Sequence, residues 1–452
     1  MAKADRDAVL RARKRVPPPG GALLEDTEKM KQKHHRMLCA FCALVILVST
    51  VFPTAAFAEQ PVDAAAAEQT LTRADAAEMQ QADAAVTALT ESEPYQEMDT
   101  DARKDAALAQ LDTLAAKGLV EKDSIYTDEE NGMVSFRYPC GVLGGILLTE
   151  SEDETLDEEN AETETASNAL PLRLPPDLGA EMQKSRAALL RRTENQAVEK
   201  FGTAVIYYAF DNTINSSRFP YYSYMQGFWS ALGLETKINI HVTVADLKKM
   251  GNYNVSVLSA HGSYYTYSYG KFLKRTRTEP IMLLTEESTF GKDLRYGFDL
   301  LAHRVIKVNG MYCVTSDFFR NAYKGGKLSN TIVYSETCEF LGVDGSEDNA
   351  MADALLSGGA QAVIGYVNNV YTVYSRSMLW DTINHLIMGQ NVGQALEHAK
   401  ATYGEDDLIW YHAQGGRRPH AAASYAVLYG NSQAALHVPE SNRSMFSADL
   451  AA

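Results

Sequence analysis

Two apolar runs in this chain each lead into a residue able to do covalent chemistry. YNVSVLSA (253–260) runs directly into His261-Gly262, and TIVYSETC (331–338) ends on Cys338. Short apolar runs bounded by turn formers read as buried strands. Positions just past the carboxyl ends of such strands are where open α/β sheets build their sites. A cysteine thiolate is a nucleophile, and a nearby imidazole can move protons for it or lower its pKa. Gly262 allows a sharp turn and close backbone approach to a ligand. The backbone N–H groups of Gly262 and Cys338 are candidate donors to a developing oxyanion.

The surrounding pattern has to position those two strand ends. From about Gly202 onward, apolar strands alternate with helical stretches. Strands are expected at 203–210, 237–244, 253–260, 331–338, 360–367 and 424–430. Helices are expected at 221–234, 349–359, 372–388 and 391–403. The expected fold class is α/β: a mostly parallel sheet with helices on both faces. An N-terminal α+β region precedes it. His261 and Cys338 lie 77 residues apart, and the stretch between them is expected to hold a hairpin, RVIKV–NG–MYCVT, and a helix from Ser316. The tyrosines of 264–269 either line a substrate groove or belong to an ordinary half-buried strand.

The N-terminal part divides by composition. Residues 1–36 are rich in Lys and Arg, 37–52 are a 16-residue apolar run, and Ala56-Phe57-Ala58 follows. This order reads as a secretory signal over 1–58, cleaved before Glu59. No later apolar run is long enough to span a bilayer, so the mature protein is expected to be secreted or extracytoplasmic, without stable membrane insertion. Residues 59–149 read as helices followed by a β-hairpin turning at Asn131-Gly132, and as a possible pro-region. Residues 150–200 read as an acidic solvated linker and a basic helix, 201–437 as the α/β domain, and 438–452 as a tail. With 42 basic against 58 acidic residues, a net charge of −16 argues against nucleic acid as partner.

Five cysteines are too few for a disulfide scaffold. Cys39 and Cys42 fall inside the apolar run, leaving Cys140, Cys313 and Cys338. Cys140 and Cys313 are either packing residues or each other's disulfide partner. His303, His385, His398, His412 and His420 lack the spacing of a zinc site, so no metal is expected.

The His-Gly and Cys blocks resemble the caspase-like cysteine peptidases, the clan of caspases, clostripain and legumain. The likeness is closest to the gingipain type. It rests on VSVLSAHGS, TIVYSETCEFLG, GGAQAVIGY, MGQNVGQALEHAK and YAVLYGNSQAAL, in that order, over about residues 202–437. The resemblance implies an endopeptidase of polypeptide substrates with His261 and Cys338 as catalytic pair, a thioester intermediate and no cofactor. Three features depart from the family. The His–Cys separation exceeds the roughly 50 residues of caspases. Glu336 and Glu339 flank Cys338, and their charges oppose a thiolate unless they point away. Gly430-Asn431-Ser432 stands where gingipains usually carry Gly-Asp-Pro. These departures motivate an alternative, a weak or inactive caspase-like domain serving as an envelope or binding module. A non-peptidase acyl hydrolase or transferase is a third reading.

The resemblance also bears on specificity. The end of the first core strand, Phe210-Asp211, would help build the pocket for the residue before the cut. Asp211 then either accepts an Arg or Lys side chain or caps the following turn with Asn212. Basic specificity would make Arg192, Arg275 and Arg277 candidate sites of self-processing. They read equally well as ordinary solvated charges.

Overall fold

The computed structural model describes residues 70–148, 198–210, 220–270, 274–408 and 423–446. All of them belong to one compact unit, Ala65–Ala452. The expected signal segment, the acidic run, Arg192, Asp211, His412 and His420 lie outside the described residues.

Two long helices open the described chain, α1 (Arg73–Thr90) and α2 (Thr100–Ala116), with a single helical turn at Glu93–Gln96 between them. Thr72 and Asp75 form a reciprocal capping box on α1, and Asp99 caps α2. An antiparallel meander follows: β1 (Tyr126–Asp128), β2 (Met133–Arg137) and β3 (Leu143–Leu147). The hairpin expected at Asn131-Gly132 forms, but with Asp128 paired to Met133 its loop holds four residues. Asn131 donates from its backbone and side chain to the Asp128 carboxylate, which explains the wider turn.

The next elements are β4 (Gly202–Ala209), α3 (Pro220–Ala231), β5 (Leu234–Asn239), β6 (Val255–Ala260), β7 (Gly262–Tyr269) and β8 (Arg275–Glu287). After them come α4 (Phe290–Leu301), β9 (Val305–Val308), β10 (Met311–Thr315), α5 (Ser316–Ala322) and β11 (Ile332–Ser335). A two-residue ladder, β12 (Gly342–Val343) with β13 (Ser346–Glu347), leads to α6 (Ala350–Ser357) and β14 (Ala362–Val367). The chain continues through α7 (Thr372–Ile387), α8 (Val392–Tyr403), β15 (Tyr425–Gly430) and α9 (Glu440–Phe446).

The fold is mixed α/β. One sheet has the order β5-β4-β6-β11-β14-β15, parallel except for β15. Successive side chains of a strand face opposite sides. Ala204, Ile206 and Tyr208 of β4 therefore join one core with α3, α7 and α8, while Val205, Tyr207 and Ala209 join the other. The strand expected at 237–244 starts earlier, at Leu234. Gly233 turns the chain with a φ of +99° directly after α3, and Leu234 pairs with Gly202 at the start of β4. Thr243 then caps a helical turn over Val244–Leu247, which ends the strand side of this stretch.

The second sheet has the order β1-β2-β3-β9-β10-β8-β7. The β9–β10 hairpin turns through Asn309 and Gly310, at φ +48° and +77°. Both are left-handed, as the tightest hairpin turns require. The tyrosine run is β7, antiparallel to β8, with Tyr264, Tyr265 and Tyr267 buried and Tyr269 exposed. This sheet changes the domain picture. Strands β1–β3 come from 59–149, whereas β7–β10 are the connection between His261 and Cys338, and β3 pairs directly with β9. The sequence division at residues 150–200 is thus not a boundary in the packing.

A buried charge cluster reinforces the junction. Lys307 on β9, 1% exposed, sits 2.9 Å from Asp293 of α4 and 2.5 Å from Asp83 of α1. Tyr312 donates to Asp293 at 2.7 Å, Gln80 of α1 donates to it at 2.8 Å, and Tyr138 donates to Asp83. No helix among the described residues is long and apolar enough to cross a membrane.

Candidate active site

Four parallel neighbours, β4, β6, β11 and β14, deliver their carboxyl ends to one edge of the sheet. Ala209 is in register with Ala260, and Ser335 with Leu258. Phe210, His261 and Cys338 therefore follow three adjacent strands, and Val370 lies just past the fourth. The Phe210 ring meets the His261 imidazole edge-on, with centroids 4.7 Å apart. The Cys338 thiol donates to the Val370 carbonyl with an Sγ–O distance of 3.9 Å. Both His261 and Cys338 are half-buried, open enough to meet a substrate.

Gly262 is where the two strand ends touch. A Cβ at this position would overlap the Cys338 carbonyl oxygen and Thr337 Cγ2. The β7–β8 register also decides where the Gly262 N–H points. Leu283 N donates to His261 O at 2.9 Å, and Gly262 faces Met282. Hydrogen-bonded and non-bonded pairs alternate in an antiparallel ladder, so the Gly262 N–H falls outside the β7–β8 ladder.

The loop after Cys338 is held in a set conformation. Glu339 adopts φ +54° and Asn368 φ +68°, uncommon for residues with a side chain. Glu339 N donates to Asn368 O, Gly345 N to Asn368 Oδ1, and Asn368 Nδ2 to Ala423 O. Leu341 N donates to Tyr366 O. The buried Asn368 side chain thereby ties the Cys338 loop to the end of β14. Concentrated backbone strain of this kind is common at functional sites.

The two glutamates beside Cys338 behave differently. Glu336 is buried and turned into a network of its own: Tyr222 donates to it at 2.9 Å and Ser375 at 3.3 Å. Burial raises its pKa, while the Arg376 guanidinium and these donors pull it back. Its charge is thus met by α3 and α7 partners. Glu339 is pushed up to about 7, first by burial and then by the Asp344 charge. From the ordinary 4.5 up to about 7, the folded chain holds this proton more tightly than the unfolded chain. The contribution to stability is full below pH 4.5 and is lost as pH rises through 7. Glu339→Gln should therefore raise the unfolding free energy at pH 8 by on the order of 2 kcal/mol, allowing for partial exposure, and leave it unchanged near pH 4.5. Denaturation curves at both pH values check this; an equal effect at both would contradict it.

Other expected site residues fall elsewhere. Arg275 and Arg277 are not in an open loop: they pair with Tyr269 and Tyr267 along β7. Arg277 holds Asp317 at 3.3 Å and Glu279 at 3.6 Å. Proteolysis there needs the ladder to open first, which removes Arg277 as a ready processing site. Cys140 and Cys313 are free thiols, not a disulfide, and Cys313 is fully buried in the second sheet. His303 is structural: its Nε2–H donates to Gly141 O at 3.1 Å, and burial pulls its pKa down to about 4.

Sequence reasoning missed three parts of this region. Asn368 and Val370 follow β14 with no motif of their own. The Glu336–Arg376 pairing joins residues forty apart. Asp381 and His385 are four apart on α7, a visible spacing, but His398 joins them only through the packing of α8 on α7. No family model matches the chain, and no curated protein matches it.

Proposed function

We propose that the chain is an exported cysteine endopeptidase with a caspase-like catalytic sheet, using Cys338 as nucleophile and His261 as its proton-handling partner. The observation that carries this reading is the delivery of both residues to one sheet edge by adjacent parallel strands, with Gly262 packed on the Cys338 carbonyl. Cys338 gives its thiol proton to His261 as Sγ bonds to the scissile carbonyl carbon, and the carbonyl π pair moves onto oxygen. The Gly262 and Cys338 N–H groups donate to that oxyanion. Collapse breaks the C–N bond, and the amine leaves with a proton from His261. Water then attacks the thioester, His261 takes its proton, and the thiolate leaves.

A cleft of about 200 Å³ lined by Asp128, Glu130, Tyr264 and Asp344 borders the loop after Cys338 without including His261 or Cys338, and its carboxylates suit a cationic substrate group. Asp211, directly after Phe210, remains the candidate for a basic residue at the cut, and Arg192 remains the candidate processing site. Profiling against a peptide library, with Cys338→Ala as control, tests the reading. Cleavage after Arg or Lys that vanishes in the variant supports it. Thioester or ester hydrolysis without any peptide cleavage would instead favour a non-peptidase acyl hydrolase.

Gly262→Ala is expected to lower kcat/KM about a hundredfold. The new methyl pushes the Cys338 carbonyl aside, and displacements of about 1 Å at a reacting group have effects of that size. Steady-state kinetics with matched circular dichroism check this. A variant with near-parent kinetics would show that the contact does not position the nucleophile.

A further inference from the structure

We propose a metal site, separate from the dyad, in which Asp381, His385 and His398 bind a divalent transition-metal ion of the Zn²⁺ class and staple α7 to α8. Asp381 and His385 are i, i+4 on α7, so they share a face. His398 reaches them from α8. Its Nδ1 lies 2.7 Å from Asp381 Oδ2, and His385 Nε2 lies 3.7 Å from Asp381 Oδ1. The two imidazoles lie almost against each other, with centroids 3.7 Å apart at 35°. One donor atom from each residue falls within 4.8 Å of the others.

These separations suit a small ion. Zinc binds imidazole nitrogen and carboxylate oxygen at about 2.0–2.2 Å, so donors around a tetrahedral zinc stand about 3.4 Å apart. The observed separations from Asp381, 2.7 Å to His398 and 3.7 Å to His385, bracket that value. Burial is graded across the group: the His385 side chain is 4% exposed, Asp381 14% and His398 44%. The open side at His398 leaves room for water as a further ligand.

A second observation concerns His385. Its Nδ1 and the Gln390 Oε1 are both buried without a hydrogen-bond partner in good geometry. The Gln390 side chain nevertheless lies close enough to interact with this imidazole. Buried polar atoms are seldom left unmatched. A metal-bound histidine characteristically donates its other ring N–H to a nearby acceptor. Metal on Nε2 fixes the tautomer with the proton on Nδ1, which supplies Gln390 Oε1 with its donor.

The test is Zn²⁺ binding to the purified chain carrying Cys338→Ala, so that the dyad thiol contributes nothing. Competition with a chromophoric chelator and thermal melts are the readouts. The expected result is one tightly bound equivalent that raises the melting temperature. Asp381→Asn and His398→Ala should each weaken binding at least about tenfold and abolish the thermal shift. His437→Ala, at an exposed histidine elsewhere, should change neither. His398 is partly exposed, so its variant is expected to fold. No retained Zn²⁺, or equal binding by the parent and both ligand variants, would overturn the proposal.

Discussion

His261→Ala should lower kcat/KM for a peptide substrate by about four orders of magnitude and leave the fold in place. The imidazole has two tasks in the proposed reaction: it holds the Cys338 proton, and it protonates the leaving amine. General acid–base catalysis contributes about 10²–10⁴-fold, and loss of thiolate activation acts in the same direction. The fold should tolerate the change because His261 is only half-buried. Its main-chain bond, Leu283 N to His261 O, does not involve the ring. The ring also packs edge-on against Phe210, so a small stability loss is expected with the large kinetic one. Steady-state kinetics beside a urea melt separate the two. A variant keeping more than about a tenth of parent activity would exclude His261 from the chemistry.

Lys307→Met should destabilise the chain by about 3–5 kcal/mol. Removing one partner from a buried ion cluster leaves uncompensated charge behind. Here two carboxylates, Asp83 and Asp293, would lose the ammonium between them. Methionine fills much of the lysine stem's volume, so the loss would report charge rather than a cavity. This residue also tests the domain organisation. If residues 70–148 were a dispensable pro-region, cutting between them and the sheet would release them. The shared seven-stranded sheet predicts otherwise: a chain nicked within 149–197 should stay together as a non-covalent pair under native conditions. Lys307→Met should weaken that association. Size-exclusion chromatography of nicked material reads both effects. Ready release of the N-terminal fragment from the parent chain would contradict the shared-sheet packing.

The six-stranded sheet was largely legible, because β4, β6, β11 and β14 are continuous apolar runs ending in turn formers. The placement of His261 and Cys338 beyond strand ends was legible for the same reason, each following such a run. The start of β5 was misjudged because Leu234-Glu-Thr-Lys looks polar. Only Leu234 and Thr236 are buried there, on the face toward α3. The shared second sheet was invisible to any local reading. Its parallel β3–β9 pairing joins segments some 160 residues apart, and neither strand carries a mark of its partner. Arg275 and Arg277 were candidate processing sites only because basic specificity would favour them, and no local pattern showed that their backbone is laddered to β7. The histidine pair on α7 and α8 escaped because zinc motifs are recognised by spacing along one segment, whereas these ligands meet by helix packing. Glu336 could not be assigned a direction from sequence. Tyr222 and Arg376, from two other helices, set it.

The most direct test of a Cys338–His261 peptidase is intact mass after incubation with an arginyl acyloxymethyl ketone, beside Cys338→Ala and His261→Ala. The proposed chemistry predicts a single inhibitor adduct on the parent, located on Cys338, and none on either variant. Labelling that persists in Cys338→Ala, or no labelling of the parent by arginyl or any other peptidyl probe, would contradict the catalytic role of Cys338 and favour a binding module.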